Sequence, residues 1–113
     1  MPKREAELLL EDMAAAMAKV ERYIRGFDRS VFLADEKTVD AVVRNLEVIG
    51  EAARLLPGEF KTENASVPWR QIAGLRNRIV HDYFGLDLEI IWEIVTVSIP
   101  QFSGQIARIR SKE

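Results

Sequence analysis

Apolar residues recur at spacings of three and four along most of this chain, with charged residues between them. This spacing matches the turn of an α-helix that buries one face, and the alternation typical of strands is nearly absent. The pattern predicts a first helix from Arg4 to about Gly26. Its apolar positions are Leu8, Leu9, Met13, Ala16, Met17, Val20 and Ile24.

The second long helix is expected to be the longest in the chain and to supply much of a bundle core. Asp35 is its candidate N-cap, and Leu56-Pro57-Gly58 ends it because proline cannot continue the turn. Gly50 lies inside this helix, where glycine costs about 1 kcal/mol against alanine. We therefore expect close packing or close approach of a neighbour at Gly50.

Residues 59–66 show little periodicity and are predicted to form a loop. Ser66 and Pro68 then mark the start of a third long helix, since proline is tolerated in a first turn where its missing N–H is not needed. This helix carries the segment Arg76-Asn77-Arg78-Ile79-Val80-His81-Asp82-Tyr83. Phe84-Gly85 is its expected end.

Two further segments complete the predicted fold. Asp28 or Ser30 caps a short turn before the second long helix, and Asp87 caps the last helical stretch. Pro100 is expected to kink or break that stretch. The chain is thus predicted to be an all-α, up-and-down bundle of four or five helices, with one domain over residues 1–113.

Composition excludes several classes of site. The 113 residues are 48% hydrophobic and 30% charged, which is typical of a soluble globular protein. Without cysteine, the chain has no disulfide, thiolate nucleophile or zinc-thiolate site. With one histidine, a metal site would be mostly carboxylate, and no grouping suggests one. No apolar run reaches bilayer length and no signal core is present, so no membrane association and a cytoplasmic location are expected.

Charge favours a local contact with nucleic acid over a general one. The net charge of −2 argues against a protein that coats nucleic acid, because such binding depends on many phosphate contacts. From Val67 to His81, however, the chain holds Arg70, Arg76 and Arg78 and no acidic residue. RNA is therefore a candidate ligand at this one site.

The histidine and the arginines suggest chemistry on a phosphodiester. Imidazole titrates near neutrality, and a guanidinium can donate two parallel hydrogen bonds to one phosphate. Cleavage of RNA by its own 2′-hydroxyl needs one base and one acid, but a chain supplies only His81. A two-fold dimer would supply two copies of His81, with Arg76 and Arg78 neutralising the charge on the phosphoryl oxygens. We predict a composite, metal-free site across a homodimer.

Helix geometry leaves the arrangement of this site open. If the segment is helical, Arg76 and Tyr83 lie within roughly 20° of each other, whereas His81 lies about 140° from Arg76. His81 instead shares a face with Asn77, four residues earlier. For Arg76 and His81 to act on one phosphate, one of three arrangements is needed. Either the helix ends near His81, or the long Arg76 side chain bends toward His81, or the arginine and the histidine come from different chains.

Simpler interpretations remain for the same residues. A single histidine after an apolar pair is often a helix C-terminal residue that caps carbonyls, and exposed arginines are usually solvated. Tyr83 would then be a half-buried core residue. Glu51 is a candidate to orient the histidine or a nucleotide, but an ion pair with Arg54, three residues on, is the favoured interpretation.

Several stretches together resemble the HEPN-domain ribonuclease toxins of the HepT type. They are Gly50-Glu51-Ala52, Pro68-Trp69, the Arg-Asn-x-x-Val-His-x-Tyr core at 76–83, and the segment from Asp87 to Trp92. The resemblance implies a HEPN-like bundle and a metal-independent endoribonuclease that acts without a cofactor. It also implies a homodimer whose two Arg-His pairs form one cleft, with Arg76 and His81 catalytic and Asn77 supporting.

The resemblance further implies a partner. In the HepT type, a minimal nucleotidyltransferase antitoxin attaches AMP to the motif tyrosine, and Tyr83 matches that position. Two alternatives remain open at this stage. One is a non-catalytic RNA- or nucleotide-binding helical subunit of a nucleotidyltransferase complex, with Arg76 and Arg78 as phosphate contacts. The other is an oligomerisation bundle with solvated arginines.

Overall fold

The computed structural model describes residues 3–80 and 85–111. The predicted all-α class is confirmed, since this part of the chain is helical apart from turns, short connections and one isolated bridge between Val80 and Leu86. The elements are α1 (Lys3–Tyr23), α2 (Arg29–Ala34), α3 (Glu36–Leu55), α4 (Gly58–Glu63), α5 (Trp69–Ala73), α6 (Leu75–Ile79), α7 (Leu88–Glu93), a π-helical segment (Ile94–Ser98) and α8 (Ile99–Ser111).

The core lies between α1, α3 and α8, with α5 and α6 packed on α3. Most residues of the predicted apolar stripes are buried there, as expected for an amphipathic bundle. Leu8 is an exception, because it is 52% exposed while Leu10 is fully buried. The largest fully buried side chains include Leu10, Met13, Met17, Phe32, Leu46, Ile49, Ile72, Leu75, Ile79, Ile91, Ile94 and Ile99.

Aspartate caps begin three of the helices. Asp28, Asp35 and Asp87 each accept a hydrogen bond from the backbone N–H three residues later, at 2.9, 3.0 and 3.1 Å. A carboxylate there satisfies a donor that has no partner within the helix. These caps confirm the predicted starts of α2, α3 and α7, and at the first of them Asp28, not Ser30, is the cap.

The end of α1 differs slightly from prediction, whereas the end of α3 does not. α1 ends at Tyr23, three residues before Gly26, and Gly26 adopts a positive φ of 81° in the following turn. α3 ends at Leu55, directly before Leu56-Pro57-Gly58, as predicted. With 21 residues against 20, α1 is longer than α3, which was expected to be the longest.

The prediction of a loop over residues 59–66 is wrong, because α4 occupies Gly58–Glu63. A helix of six residues is too short to show periodicity and needs tertiary support. Lys61 supplies some of it, since its Nζ donates to the Ala53 carbonyl of α3 at 3.2 Å. The Phe60 ring also packs on Trp69 of α5, with centroids 6.0 Å apart.

The third long helix is interrupted at Gly74 and ends earlier than predicted. α6 stops at Ile79, and its C-cap Val80 is extended, with φ −93° and ψ 126°. The Ile79 carbonyl accepts from the N–H of Asp87 at 2.8 Å, so the end of α6 is joined to the start of α7. The predicted end at Phe84-Gly85 is therefore wrong, although Gly85 has a positive φ of 81°.

Pro100 does not break the last helix. It lies in the first turn of α8, directly after the π-helical segment, where the N–H of Ile99 donates to the Ile94 carbonyl five residues earlier. The wider π turn accommodates the missing N–H and the bulk of the ring. Within the described residues, no helix is both long and apolar enough to cross a membrane.

Candidate functional site

The three polar residues of α6 project from a helix that is anchored by its apolar ends. Leu75 and Ile79 are buried, at 1% and 0% exposure, and they fix the short helix to the bundle. Arg76, Asn77 and Arg78 lie between them and are all exposed. These three residues are adjacent in sequence, and the fold leaves all of them exposed on one short surface segment.

Arg76 is tied to α3. Its Nε lies 3.2 Å from Oε2 of Glu47, and the two side chains are 68% and 45% exposed. Exposed ion pairs of this kind contribute only about 0–1 kcal/mol to stability. The contact therefore matters more for the direction of the Arg76 side chain than for holding the helices together.

Arg78 is tied to a different helix. Its Nη2 lies 3.4 Å from Oε1 of Glu93 at the end of α7. The two arginines of α6 thus pair with carboxylates on two different neighbouring helices, α3 and α7. Sequence reasoning missed Glu47 and Glu93, because the pairs span 29 and 15 residues and no local spacing signals them.

Glu51 makes the local pair that was favoured from sequence. Its two carboxylate oxygens accept from Nε and Nη2 of Arg54 at 3.1 and 2.7 Å. This hydrogen bonding lowers the pKa of Glu51 from its ordinary value and raises the pKa of Arg54. The prediction of an ion pair is confirmed, and the supporting role of Glu51 toward the histidine stays a prediction.

His81 and Tyr83 lie outside the described residues, so their predicted roles stay predictions. The chain on either side of them is fixed, because Val80 and Leu86 form an antiparallel bridge at the end of α6. Since Val80 is extended, the helical argument that placed Asn77 and His81 on one face does not apply. Of the three arrangements considered, the first agrees with the end of α6 at Ile79, and the other two stay predictions.

An open groove of about 400 Å³ lies between α1 and α3. Its lining mixes charge with apolar surface and includes Glu47 and Glu51. Glu47 thus lines the groove and also contacts the Arg76 side chain. In the described ranges, 3–80 and 85–111, no group of three or more histidine, aspartate or glutamate side chains is placed to hold a metal ion.

Comparison with known proteins identifies the family. The sequence profile described as Ribonuclease HepT-like matches residues 13–109. A Thermococcus cleftensis protein named "Probable ribonuclease HepT" is 39% identical over 108 residues, covering 96% of this chain and 98% of that protein.

Two further relatives agree with this assignment. A Caldanaerobacter subterraneus protein named "Putative RNase" is 42% identical over 94 residues, covering 83% of each chain. A Methanocaldococcus jannaschii protein with the same description is 39% identical over 109 residues, covering 96% of this chain and 90% of that protein. No solved structure matches the chain. The profile and these relatives together show that the chain belongs to the HepT-like ribonuclease family.

Proposed function

We propose that this protein is a metal-independent endoribonuclease and the toxin component of a toxin-antitoxin pair. The observation that carries the proposal is the family match over residues 13–109, which includes Arg76, Asn77, Arg78, His81 and Tyr83. The exposed position of both arginines on α6, just before His81 in sequence, supports a contact with a phosphate backbone.

The proposed reaction uses the RNA as its own nucleophile. The 2′-hydroxyl gives its proton to a neutral imidazole and attacks the adjacent phosphorus, which breaks the bond to the 5′-oxygen. A protonated imidazole donates a proton to that leaving oxygen. The products are a 2′,3′-cyclic phosphate and a 5′-hydroxyl end, and no water, metal or cofactor enters this step.

The same reaction requires a second chain. Each chain has one histidine, so base and acid come from the two copies of His81 in a homodimer. Arg76 of each subunit stabilises the charge that develops on the phosphoryl oxygens. Arg78, Asn77 and Glu51 are proposed to support this site, Arg78 through a further phosphate contact.

Regulation is proposed to act at Tyr83. A minimal nucleotidyltransferase antitoxin would transfer AMP from a nucleoside triphosphate to the Tyr83 hydroxyl and release pyrophosphate. The added phosphate charge and bulk beside a phosphate-binding cleft would repel and block RNA. Intact mass after co-expression with the antitoxin should rise by whole AMP units in the wild type and not in Tyr83→Phe.

The activity is tested with purified protein and end-labelled RNA in the presence of excess EDTA. We expect cleavage with cyclic-phosphate ends, and a loss of about 10²- to 10⁴-fold in both His81→Ala and Arg76→Ala. Arg108→Ala is the matched control, because Arg108 is an exposed arginine on α8, outside the proposed site. RNA that is bound but left intact would contradict the proposal and favour a non-catalytic RNA-binding subunit.

A further inference from the structure

We infer that Glu47 is a positioning residue for Arg76, and that it holds the guanidinium by one edge so that the opposite edge is presented to a phosphate. This inference deepens the proposed function and rests on it. Glu47 lies on α3, outside the arginine and histidine segment, and its role follows from the contact between Glu47 and Arg76.

The atoms that make the contact decide its consequence. Glu47 accepts from the Nε–H of Arg76, at 3.2 Å. A guanidinium carries one N–H on Nε and four on the two terminal nitrogens, in a planar fork. A carboxylate at Nε therefore leaves the edge formed by Nη1 and Nη2 for two parallel hydrogen bonds to phosphate oxygens.

Close packing of α5 on α3 brings α6, which follows α5, near enough to α3 for the contact between Glu47 and Arg76. Gly50 lies three residues further along α3, about 60° round the helix from Glu47 and on its buried side. A Cβ built at Gly50 would lie 3.3 Å from the Ile72 carbonyl oxygen and 3.5 Å from that of Ala73. The absence of a side chain thus lets α5 approach α3, and α6 follows α5 directly.

The other two ion pairs of this region differ in geometry. Arg78 engages Glu93 through the terminal Nη2, at 3.4 Å, so its terminal edge is partly used. Arg54 and Glu51 lie three residues apart on one helix, so their pair does not join two helices. Of these three arginines, Arg76 is held across two helices through Nε, as a phosphate ligand with a fixed direction requires.

The Glu47 carboxylate also has an electrostatic effect that opposes RNA binding. It places a negative charge beside the cation that should meet the phosphate, so its removal raises the local positive potential. Loss of Glu47 should therefore weaken the chemical step without weakening the attraction of RNA. A residue with a purely structural role would not separate kcat from KM in this way.

The test compares three variants by steady-state cleavage of a short RNA. Glu47→Ala should lower kcat about tenfold, because the guanidinium loses its direction, while KM stays equal or falls. Glu47→Gln keeps an oxygen that accepts from Nε, so its kcat should stay within about twofold of the wild type. Asp40→Ala removes the same charge two turns earlier on α3, at an exposed position, and should leave kcat unchanged.

Each other outcome identifies what has failed. If the wild type cleaves RNA and Glu47→Ala has the same kcat, the inference is wrong and the proposed function stands. If kcat rises in both Glu47 variants, the pair restrains Arg76 and the inference is also wrong. If KM rises at constant kcat, Glu47 serves binding and not positioning. If the wild type does not cleave RNA, the proposed function fails and the inference fails with it.

Discussion

The buried and exposed faces of α3 differ in what fixes them. On the buried face, Leu46 and Ile49 are fully enclosed and Gly50 lies against the backbone of α5. On the exposed face, Glu47 and Glu51 each meet an arginine in solvent. Packing on the first face determines where α5 and α6 lie, whereas ion pairs on the second determine where side chains point. Stability and chemistry should therefore respond to different substitutions.

The largest expected effect is a loss of activity on the exposed side. Arg76→Lys keeps the charge but loses both the planar fork and the Nε–H that contacts Glu47. We expect kcat/KM for RNA to fall about 10²-fold, with thermal unfolding unchanged because the side chain is 68% exposed. Cleavage kinetics and a melting curve on the same preparation check this. A drop in the melting temperature together with activity would contradict the separation of the two faces.

The next effect is a loss of stability on the buried side. Gly50→Val places a branched side chain against the carbonyls of Ile72 and Ala73, and overpacking of this kind costs about 1–3 kcal/mol. Gly104→Val is the matched control, because a Cβ at Gly104 meets no atom within 4 Å. Denaturant unfolding of both variants measures the difference. Equal free energies of unfolding would show that α3 and α5 are not in close contact.

A smaller loss of stability is expected from changes at the start of α7. Asp87→Ala removes the carboxylate that accepts from the N–H of Ile90, which should cost about 1 kcal/mol. Asp87→Asn keeps an oxygen that can accept this hydrogen bond and should cost much less. Chemical denaturation distinguishes the two variants, and an equal loss in both would mean that charge, and not capping, is what Asp87 contributes.

The smallest effect is a pH dependence of the exposed pair on α3. Arg54 lowers the pKa of Glu51 below its ordinary value of 4.5, so the pair stabilises the fold above that pH. The contribution is lost as the pH falls through the lowered pKa, because the carboxylate is then protonated. Melting temperatures of the wild type and Glu51→Gln should differ slightly at about pH 6, and the difference should shrink as the pH falls through the lowered pKa of Glu51. A difference that grows in acid would contradict this sign.

Local signals explain which parts of the fold were predictable. The caps Asp28, Asp35 and Asp87 act on a backbone N–H three residues away, so the sequence alone shows them. The pair between Glu51 and Arg54 was likewise expected, since it depends on one helix and its spacing. Close packing at Gly50 was expected because glycine inside a helix is costly, but the sequence did not show that α5 is the neighbour.

The features that sequence reasoning missed depend on contacts between distant residues. α4 is stabilised by Lys61 and Phe60 contacts with α3 and α5, and the end of α6 is set by pairing of Val80 with Leu86. The contact between Glu47 and Arg76 spans 29 residues. The arginines were therefore candidates from sequence, and their role stays a prediction, whereas the carboxylates that pair with them could be found only from the fold.

In the proposed dimer, two subunits contribute their single histidines to one cleft. A heterodimer of one wild-type and one His81→Ala chain, purified through two different tags, isolates this feature. RNA cleavage by the heterodimer should fall to nearly the level of the His81→Ala homodimer, because either the base or the acid is missing. Half of the wild-type activity would mean that each subunit acts alone, and would contradict the composite site.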